Sequence, residues 1–308
     1  MRTAGFTLRQ LEYFEAAAAE GSLTAAAARC QVTPSALTFA LDDLERHLRV
    51  QLLLRRKGRG VTLTPAGTRM LVHARGVIRG AEALGDAADF ATSTISGRFA
   101  IGCFTTLTPF FASAVVKEFQ HNYPDVELDL RAGSASELHE QLLQGRIDVA
   151  VAYSVDVPAS LSFEPLLRYR PHVLVAASHP LAARHSVSLG EFVSEPLIVL
   201  DLPPTAQNTR AMFQSLGLTP RVGATSTSYE AVRCMVGAEL GYAVMFQQPA
   251  SAFTYDGHTV CALAIADPVA PAIVGLARPR GAVPTARDEA LRSFLTIGSN
   301  GGDPILAR

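Results

Sequence analysis

The most concentrated chemistry in the sequence is a short basic run. Four of the five residues from 55 to 59 are cationic, namely Arg55, Arg56, Lys57 and Arg59. Guanidinium and ammonium groups in such a cluster can bind phosphate oxygens. Residues 1–67 carry nine Lys/Arg against six Asp/Glu, whereas residues 68–308 carry eighteen against twenty-two. The basic excess therefore lies in the first part of the chain, although a charge run is also typical of an ordinary solvated surface.

The residues that must position this run predict three helices and a hairpin. Apolar residues with a 3.6-residue period predict a first helix, and a second short helix follows at 23–30. Thr33 is an N-cap residue placed before Pro34, a combination that begins a third helix at 34–48. Two helices with a tight break have the proportions of a helix-turn-helix, whose second helix enters the DNA major groove. Residues 50–64 then predict two short strands around the basic run.

Four sequence motifs follow one another over about sixty residues of the chain. They are Leu8-Arg9-Gln10-Leu11-x-Tyr13-Phe14, Gly21-Ser22-Leu23-Thr24-x-Ala26-Ala27, Val32-Thr33-Pro34-Ser35-Ala36-Leu37-Thr38 and Leu63-Thr64-Pro65-Ala66-Gly67. In this order the motifs resemble the amino-terminal domain of LysR-type transcriptional regulators. The resemblance implies a winged helix-turn-helix over residues 1–66 that binds double-stranded operator DNA as a homodimer or homotetramer. It also implies a cytoplasmic location and RNA polymerase as a partner.

The sequence departs from the family in the third helix. After Leu37-Thr38 the family pattern continues with Arg or Gln, but this chain has Phe39-Ala40, which cannot make bidentate hydrogen bonds to a base. We therefore expect base reading by hydroxyl side chains and the wing, while Phe39 either touches thymine methyl groups or belongs to the core. The basic residues of the wing are expected at phosphates. The candidate DNA-binding residues are Thr24, Thr33, Pro34, Ser35, Thr38, Phe39, Arg55, Arg56, Lys57 and Arg59.

Small and apolar residues recur with helical spacing after Pro65. Such a stripe is typical of a seam through which a helix pairs with a copy of itself, because one helix cannot bury it alone. The alternative is a helix that packs on its own domain, and the family resemblance favours the dimer. We place a linker helix at 67–93, and its candidate dimerisation residues are Leu71, Ala74, Ile78, Ala81 and Leu84.

Beyond residue 94 the pattern changes to strands that alternate with helices. Strands are predicted at 98–104, 126–131, 147–153, 172–177, 197–201, 221–224 and 242–246. Helices are predicted at 109–120 and 136–144, and others begin at Thr205 and Tyr229. This alternation favours parallel sheets, and about 200 residues suffice for two lobes. The fold class is therefore α/β, with a winged helix-turn-helix and a linker helix before a two-lobed domain.

Motifs in this second part also resemble the LysR family. They are Tyr123-Pro124-Asp125-Val126, Gly145-x-Ile147-Asp148-Val149-Ala150 and Ser228-x-Glu230-Ala231-Val232-Arg233. The family's effector domain is similar to periplasmic solute-binding proteins, in which two crossing strands join two lobes. We place the crossings near 167–172 and 264–271. The effector-binding domain is then 94–308, with lobe I at about 97–168 and 270–308 and lobe II at about 169–269.

Hydroxyl groups and prolines stand where the predicted strands end or the predicted helices begin. Open sheets bind ligands at the carboxyl ends of their strands. Hydroxyls and backbone N–H groups at helix starts suit a small-molecule effector with an anionic group, although the same residues can simply cap helices. The candidate effector-binding residues are Thr105, Thr106, Ser134, Pro203, Thr205, Ser226 and Ser228.

The sequence contains no recognisable pattern for catalysis, for metal binding or for a cofactor. Its histidines show no metalloprotease spacing, no Gly-x-Ser-x-Gly elbow occurs, and its four cysteines lie at least 27 positions apart. No run of 18 apolar residues predicts a membrane helix. We therefore expect neither an enzyme nor a resident cofactor or metal. The competing hypothesis is a redox-responsive regulator that acts through Cys103 or Cys234, and separate addition of effector and peroxide to a promoter-binding assay would distinguish the two.

Overall fold

The computed structural model describes residues 5–56, 60–88, 95–155 and 157–297. Within these ranges the chain forms two units. The first holds the residues up to Ile95 together with 140–146 and 281–289, and the second holds the remainder. Among the described residues, no helix has both the length and the apolar character needed to cross a membrane.

The first unit begins with three helices, α1 (Leu8–Glu20), α2 (Leu23–Arg29) and α3 (Pro34–Leu48). A hydroxyl side chain caps each of them, since Thr7, Ser22 and Thr33 accept a hydrogen bond from the backbone N–H three residues further on. These caps satisfy N–H groups that the first turn of a helix leaves without a partner. The predicted caps at Ser22 and Thr33 are confirmed, and α2 and α3 form the predicted helix-turn-helix.

A hairpin follows α3 and forms the predicted wing. Its strands, β1 (Leu53–Arg56) and β2 (Gly60–Leu63), pair antiparallel. The Glu45 carboxylate of α3 accepts the backbone N–H groups of residues 52 and 53 at 2.6 and 2.9 Å, so the hairpin is tied to the helix. Gly60 permits β2 to approach α1, because a Cβ at this position would lie 2.3 Å from the carbonyl oxygen of the residue after α1.

A long helix, α4 (Pro65–Ala88), packs along α1 and completes the core of the first unit. Leucines that recur along one side of α3 contribute to this core. The core includes Leu11, Phe14, Leu37, Leu41, Leu44, Leu52, Leu71 and Ala74. Because the core takes up this side of α3, the opposite side of the helix faces outward.

Strands and helices alternate in the second unit. The strands are β3 (Gly97–Phe104), β4 (Val126–Gly133), β5 (Val149–Tyr153), β6 (Leu161–Tyr169), β7 (His172–Ala176), β8 (Ser186–Val187), β9 (Pro196–Leu200), β10 (Arg221–Ser226), β11 (Ala243–Met245), β12 (Val260–Ile265) and β13 (Ala272–Pro279). The helices that follow α4 are α5 (Thr108–Asn122), α6 (Ala135–Leu143), α7 (Thr205–Ser215), α8 (Tyr229–Gly237) and α9 (Ala286–Ile297), with a 3-10 turn at Leu189–Phe192. Residues 140–143 of α6 and 286–289 of α9 belong to the first unit. All seven strands predicted in this part are present, and their ends differ from the prediction by at most two residues.

The first sheet of this unit has the strand order β4-β3-β5-β13-β6. Strand β3 runs parallel to β4 and β5, as predicted, and α5 and α6 connect these strands. The expectation of parallel sheets is wrong for β13, which is antiparallel to both β5 and β6, and for β7, which is antiparallel to both β11 and β12. The chain leaves this sheet along β6 toward the other lobe and returns along β13. Because the two strands run in opposite directions and lie side by side, they pair antiparallel.

The second sheet has the strand order β11-β7-β12-β8, and β9 and β10 form a parallel pair beside it. A bridge between Leu197 and Tyr242 joins the pair to the segment before β11. The chain passes from the first sheet to the second between Tyr169 and His172, and it returns at residues 266–271. The second unit therefore has two lobes, and the predicted α/β fold class is confirmed.

Candidate nucleic-acid interface and effector cleft

The outward side of α3 is the first candidate surface. Leu37, Leu41 and Leu44 of this helix are buried in the core at 0–1% exposure, and residues on the opposite side are exposed. These exposed residues are Ser35, Phe39, Asp42 and Arg46. They follow one another at spacings of four, three and four, which places them on one face of the helix. In a helix-turn-helix this is the face that enters the major groove.

The predicted base-reading hydroxyls lie at the start of this face. Thr33 and Ser35 are exposed, and their hydroxyl oxygens lie 3.1 Å apart. Thr33 also accepts the N–H of Ala36 at 3.2 Å, so its oxygen serves the helix as a cap. Thr38 is half-buried one turn further, and Thr24 is exposed near the start of α2. The structure therefore brings Thr33 and Ser35 together at the start of α3, whereas Thr24 lies on α2.

Pro34 and Phe39 are the two apolar candidates on α3. Pro34 is exposed at the first helical position. Phe39 is 70% exposed, and it lies on the side of α3 that faces away from the core. The alternative in which Phe39 belongs to the core is therefore wrong, because the leucine stripe of α3 already fills the core. The Phe39 ring instead lies on the exposed side of α3, between Ser35 and Asp42.

The basic wing is only partly described. Arg55 extends from β1 to α3 and forms an ion pair with Asp42, whose carboxylate is about half exposed. Arg56 ends β1 opposite Gly60. Lys57 and Arg59 lie outside the described residues. Of the four residues predicted to contact phosphates, the structure therefore places Arg55 against α3, where Asp42 already balances its charge.

The exposed face of α3 that carries Ser35, Phe39, Asp42 and Arg46 is called the recognition face below. One cation on it was missed by sequence reasoning. Arg46 is exposed one turn after Asp42, and its guanidinium lies 2.6 Å from the Asp43 carboxylate. Its position could have been found from the helical spacing alone, because residues 39, 42 and 46 share a face.

The predicted dimerisation seam is divided by the fold. Leu71 and Ala74 are buried in the core of their own unit, and Ile78 packs against it. These residues follow the alternative predicted from the sequence, in which α4 packs on its own domain. Ala81 is half-buried and Leu84 is 73% exposed, so the second half of the seam offers apolar surface.

A small, open apolar pocket of about 60 Å³ lies beside the first half of α4. It is lined by residues from the start of the chain and from α1, α3 and α4, all of the first unit. They are Phe6, Leu11, Phe14, Leu48, Met70, His73, Ala74 and Val77. Val77 at its rim is also 51% exposed, although sequence reasoning did not include it in the seam.

Two of the seven predicted effector residues, Ser134 and Ser228, cap helices in the second unit. The Ser134 hydroxyl donates to the Glu137 carboxylate at 2.8 Å at the start of α6. Ser228 accepts the N–H of Ala231 at the start of α8, and Ser226 accepts the N–H of Ser228. The capping alternative predicted from the sequence thus describes Ser134 and Ser228, whereas Ser226 bonds to the backbone just before α8.

The prolines and threonines of the set are placed differently. Thr105 is exposed just after β3, and Pro203 is exposed just before α7. Thr205 is buried at the first position of α7, a helix whose N-cap makes no side-chain hydrogen bond. Thr106 is 3% exposed, and its hydroxyl oxygen has no hydrogen-bond partner of good geometry. Among the predicted effector residues, Thr106 is therefore the one whose buried hydroxyl can still form a well-oriented hydrogen bond with a ligand.

Polar contacts join the two lobes near Thr106. The Gln247 side chain, which is buried, donates a hydrogen bond to the Tyr153 hydroxyl at the end of β5. The Tyr229 hydroxyl at the start of α8 donates to the Gln247 carbonyl oxygen at 2.5 Å. Burial raises the pKa of Tyr153 to about 12, although the neighbouring Thr106 and Gln247 side chains oppose the shift. Thr106 thus lies beside a neutral phenol that spans the lobes.

Aromatic rings surround this set of hydroxyls. The Phe104 and Tyr153 rings meet edge-to-face with their centroids 5.3 Å apart. Phe110 of the first lobe meets Tyr229 of the second at 6.0 Å in the same geometry. Sequence reasoning missed all four rings, because residues at 104, 110, 153 and 229 share no local pattern. The region where the lobes meet therefore combines aromatic surface with neutral hydrogen-bonding groups.

The two cysteines of the redox hypothesis differ in their surroundings. Cys103 in β3 is 2% exposed, and burial raises the pKa of its thiol to about 12. A thiol with such a pKa is almost entirely protonated at neutral pH, which makes it a poor nucleophile. Cys234 in α8 is half-buried, and all four cysteines are free thiols. The structure thus gives Cys103 the surroundings of an inert core residue.

Known protein families cover both parts of this chain. Residues 8–68 match the family described as bacterial regulatory helix-turn-helix protein, lysR family. Residues 92–297 match the LysR substrate binding domain. The first match spans α1 to the beginning of α4, and the second spans both lobes of the second unit.

Individual relatives agree with these matches. The HTH-type transcriptional regulator YvbU of Bacillus subtilis is 29% identical over 255 residues, 82% of this chain and 86% of the relative. The regulator AlsR of the same organism is 30% identical over 240 residues, 76% of this chain and 78% of AlsR. The crystal structure of HinK, a LysR family transcriptional regulator from Pseudomonas aeruginosa, is 33% identical with a TM-score of 0.63, and the match covers 94% and 96% of the two chains. The chain therefore belongs to the LysR family of bacterial transcriptional regulators, which bind DNA through a helix-turn-helix and small molecules through an effector domain.

Proposed function

We propose that this regulator reads its operator with the outward face of α3 and holds the DNA backbone with its wing. The observation that carries this proposal is the division of α3 into a buried leucine side and an exposed side. Ser35 and Thr38 lie in the first half of the helix, where side chains of a recognition helix reach base edges. Arg56 at the end of β1 is proposed to contact phosphates, and so are Lys57 and Arg59, which follow it in the sequence.

The division of roles between helix and wing is tested with the full-length protein and duplexes selected from a randomised DNA pool. Arg56→Ala should weaken binding to selected and random duplexes alike and reduce the slope of log affinity against log salt by about 0.9. Ser35→Ala and Thr38→Ala should instead reduce the ratio between selected and random DNA. A change of sequence preference in Arg56→Ala, with none in Thr38→Ala, would contradict the assignment.

The proposed DNA-binding form is a dimer held by α4. The second half of α4 exposes Leu84, and Val77 is exposed beside the apolar pocket of the first unit. A second copy of the helix would cover this apolar surface and present two recognition helices to two half-sites. Contacts between effector domains could extend the dimer to a tetramer. A cytoplasmic location and a contact with RNA polymerase are the further parts of this proposal.

The proposed effector site lies beside Thr106. Its buried hydroxyl lies beside Tyr153 but has no hydrogen-bond partner of good geometry, and a poorly satisfied buried hydroxyl is unfavourable unless a ligand or water supplies the bond. The rings of Phe104, Phe110 and Tyr229 lie in the same region between the lobes. A small molecule with an aromatic or apolar part and an oxygen-bearing group, such as a carboxylate or a hydroxyl, suits these surroundings.

The effector would act by favouring one arrangement of the two lobes. The hydrogen bond between Gln247 and Tyr153 joins the lobes, so a molecule bound between them can strengthen or replace it. Binding shifts the equilibrium only if the molecule has different affinities for the two arrangements. A thermal-shift screen of metabolites on the full-length protein tests this part. A cognate molecule at about 100 times its dissociation constant should stabilise the protein by about 2.7 kcal/mol.

A further inference from the structure

The exposed ring of Phe39 has no role in the stability of its own unit. The ring is 70% exposed, whereas Leu37 and Leu41 on the other side of α3 are completely or almost completely buried. An aromatic side chain left in water gives up the free energy that its burial would provide. Phe also favours helix formation less than Ala does, so helix propensity does not explain its presence either. The ring at this position therefore calls for a contact outside the isolated chain.

The position of Phe39 on α3 narrows the choice of contact. It lies on the same face as Ser35 and Asp42, one turn from each. With a rise of about 1.5 Å per residue, it stands roughly 6 Å beyond Ser35 along the helix axis. This is the first half of the recognition helix, where side chains reach the floor of the major groove. The partner that this face meets is duplex DNA, which rests on the DNA-binding function of the family.

The chemistry of the groove indicates what a phenyl ring can recognise there. Hydrogen-bond donors and acceptors of the bases are of no use to a side chain without polar atoms. The C5-methyl group of thymine is the apolar feature of the major groove, and a Phe side chain can pack against it. The neighbouring exposed residue Ala36 also carries only a methyl group. The centre of the recognition face is thus suited to apolar contact.

The charge around Phe39 supports the same contact. Asp42, one turn further along, is held in an ion pair by Arg55 of the wing. Arg46, the next residue on the face, contacts Asp43 at 2.6 Å. Both acidic groups are therefore partly neutralised on the side of the helix that approaches DNA, and the ring is not held away from the groove by an unpaired carboxylate.

We propose that Phe39 determines part of the operator specificity by packing its ring against thymine C5-methyl groups in the major groove. Arg or Gln at this position, as in the family pattern, would instead make hydrogen bonds to guanine or adenine. This chain therefore differs from such relatives in the bases that it prefers opposite the middle of α3.

The test uses the full-length protein and a duplex selected from a randomised pool. Each thymine of the selected half-site is replaced in turn by deoxyuridine, which removes only the methyl group. Loss of one buried methyl group should weaken wild-type binding by about fourfold at one or two positions. In Phe39→Ala, thymine and uracil at those positions should bind equally well. Phe39→Leu, which keeps an apolar side chain, should retain part of the difference and serves for the comparison if Phe39→Ala binds too weakly.

A matched control is available in the second unit. Phe253 is 64% exposed, so Phe253→Ala removes an equally exposed ring far along the sequence from the recognition helix. This variant should show the same thymine-to-uracil ratio as the wild type. Because Phe39 is exposed on a helix, Phe39→Ala should unfold at the temperature of the wild type or slightly above it.

Two results would overturn the proposal. The first is a thymine-to-uracil ratio that is equal in wild type and Phe39→Ala, since the methyl group would then be read by another residue. The second is a selected half-site with no position sensitive to uracil. Failure of the wild type to enrich any sequence would instead refute the proposed operator recognition as a whole, so the two failures are distinguishable.

Discussion

The exposed face of α3 and the buried residues around Thr106 differ in how their polar groups are satisfied. On α3, Arg46 bonds to Asp43 within one turn of helix. Between the lobes, Thr106 has no hydrogen-bond partner of good geometry, and Gln247 bonds to Tyr153 from a distant part of the chain. An exposed face can stay hydrated until its partner arrives, whereas a buried hydroxyl without a partner reduces stability. The buried Thr106 hydroxyl therefore favours a small-molecule ligand. The exposed face of α3, whose polar groups are satisfied, favours a large hydrated partner such as DNA.

The two regions also differ in how the chain builds them. A single helix and the adjoining hairpin provide the recognition face, so its geometry depends on local caps such as Thr33. The region around Thr106 is assembled from β3, β5, α8 and the segment after β11. A substitution on α3 should thus change one contact at a time, whereas a substitution between the lobes can also alter the equilibrium between their arrangements.

The largest loss of operator affinity is expected when the proposed dimer is disrupted, because the second copy of the chain supplies the second recognition face. Leu84→Glu places a charge on the exposed apolar part of α4 and should dissociate the dimer. Loss of the linked second half-site should weaken operator binding by about a hundredfold or more. Light scattering measures the dimer, and a DNA-binding titration measures the affinity.

The control for this charge is Val222→Glu in β10, where the wild-type side chain is 53% exposed in the second unit. It should leave both the mass in solution and the operator affinity unchanged. Thermal unfolding of the effector domain should be the same in both variants and the wild type. A Leu84→Glu protein that remains dimeric and binds the operator normally would remove α4 from the proposed dimer.

The next effect concerns the buried hydroxyl between the lobes. Thr106→Val keeps the volume of the side chain but removes its hydrogen bond to the effector. Such a loss should cost roughly 1–3 kcal/mol, or about 5- to 150-fold in affinity. Calorimetry with a molecule found in the thermal-shift screen measures it, and operator binding without effector should be unchanged.

Ser134→Ala is the matched control for Thr106→Val. The Ser134 hydroxyl already bonds to Glu137, so its removal should lower stability by about 1 kcal/mol as a lost cap and leave effector affinity unchanged. The reverse pattern, with affinity lost in Ser134→Ala and kept in Thr106→Val, would show that the effector binds at the helix starts and not at the buried hydroxyl.

A smaller effect is expected from the ion pair that joins wing and helix. Asp42→Asn removes the carboxylate that holds Arg55 and leaves its guanidinium available to a phosphate. Operator affinity should rise a few-fold, and the salt dependence should steepen by up to about 0.9 in the log–log slope. Fluorescence titrations over a range of salt concentrations measure both quantities.

Asp129 provides the control, because its carboxylate also pairs with arginines, Arg98 and Arg131, in the second unit. Asp129→Asn changes the net charge by the same amount but should leave the salt slope unchanged. If both variants bind DNA equally more tightly, net charge rather than the release of Arg55 explains the gain.

Local signals made the recognition helix predictable. Ser22 and Thr33 are caps that can be identified from residue type and position, and the leucine period of α3 identifies the buried side. Helical spacing shows which side of a helix is apolar, but it does not show which other element covers that side. Leu71 and Ala74 in α4 share their spacing with Leu84, yet the first two are buried in their own unit and the third is exposed.

The effector side was less predictable because its contacts link distant residues. Strands β6 and β13 pair along their whole length across more than a hundred residues, and no local periodicity reports such a pair. Hydroxyls at strand ends were identified as candidates, but their sequence context could not separate Ser134, which caps a helix, from Thr106, which has no hydrogen-bond partner of good geometry. Tyr153 and Gln247 were overlooked for the same reason.

The smallest expected effect tests whether the effector side responds to oxidation through its buried thiol. Burial raises the pKa of Cys103 to about 12, so at pH 7.5 the thiolate should be on the order of one part in 30,000. Oxidation by peroxide requires thiolate character and exposure, and Cys103 has neither. We therefore expect peroxide to leave operator binding unchanged in both the wild type and Cys103→Ser.

Thiol labelling of the native protein, followed by mass spectrometry, measures this directly. Cys103 should stay unlabelled in the folded protein and react fully after denaturation, while the half-buried Cys234 serves as an internal comparison. Raising the pH to 9 should barely increase labelling of Cys103, because its pKa lies well above that value. A peroxide response that disappears in Cys103→Ser would make the buried thiol a sensor, and the effector side would then hold a reactive group that is absent from the recognition face.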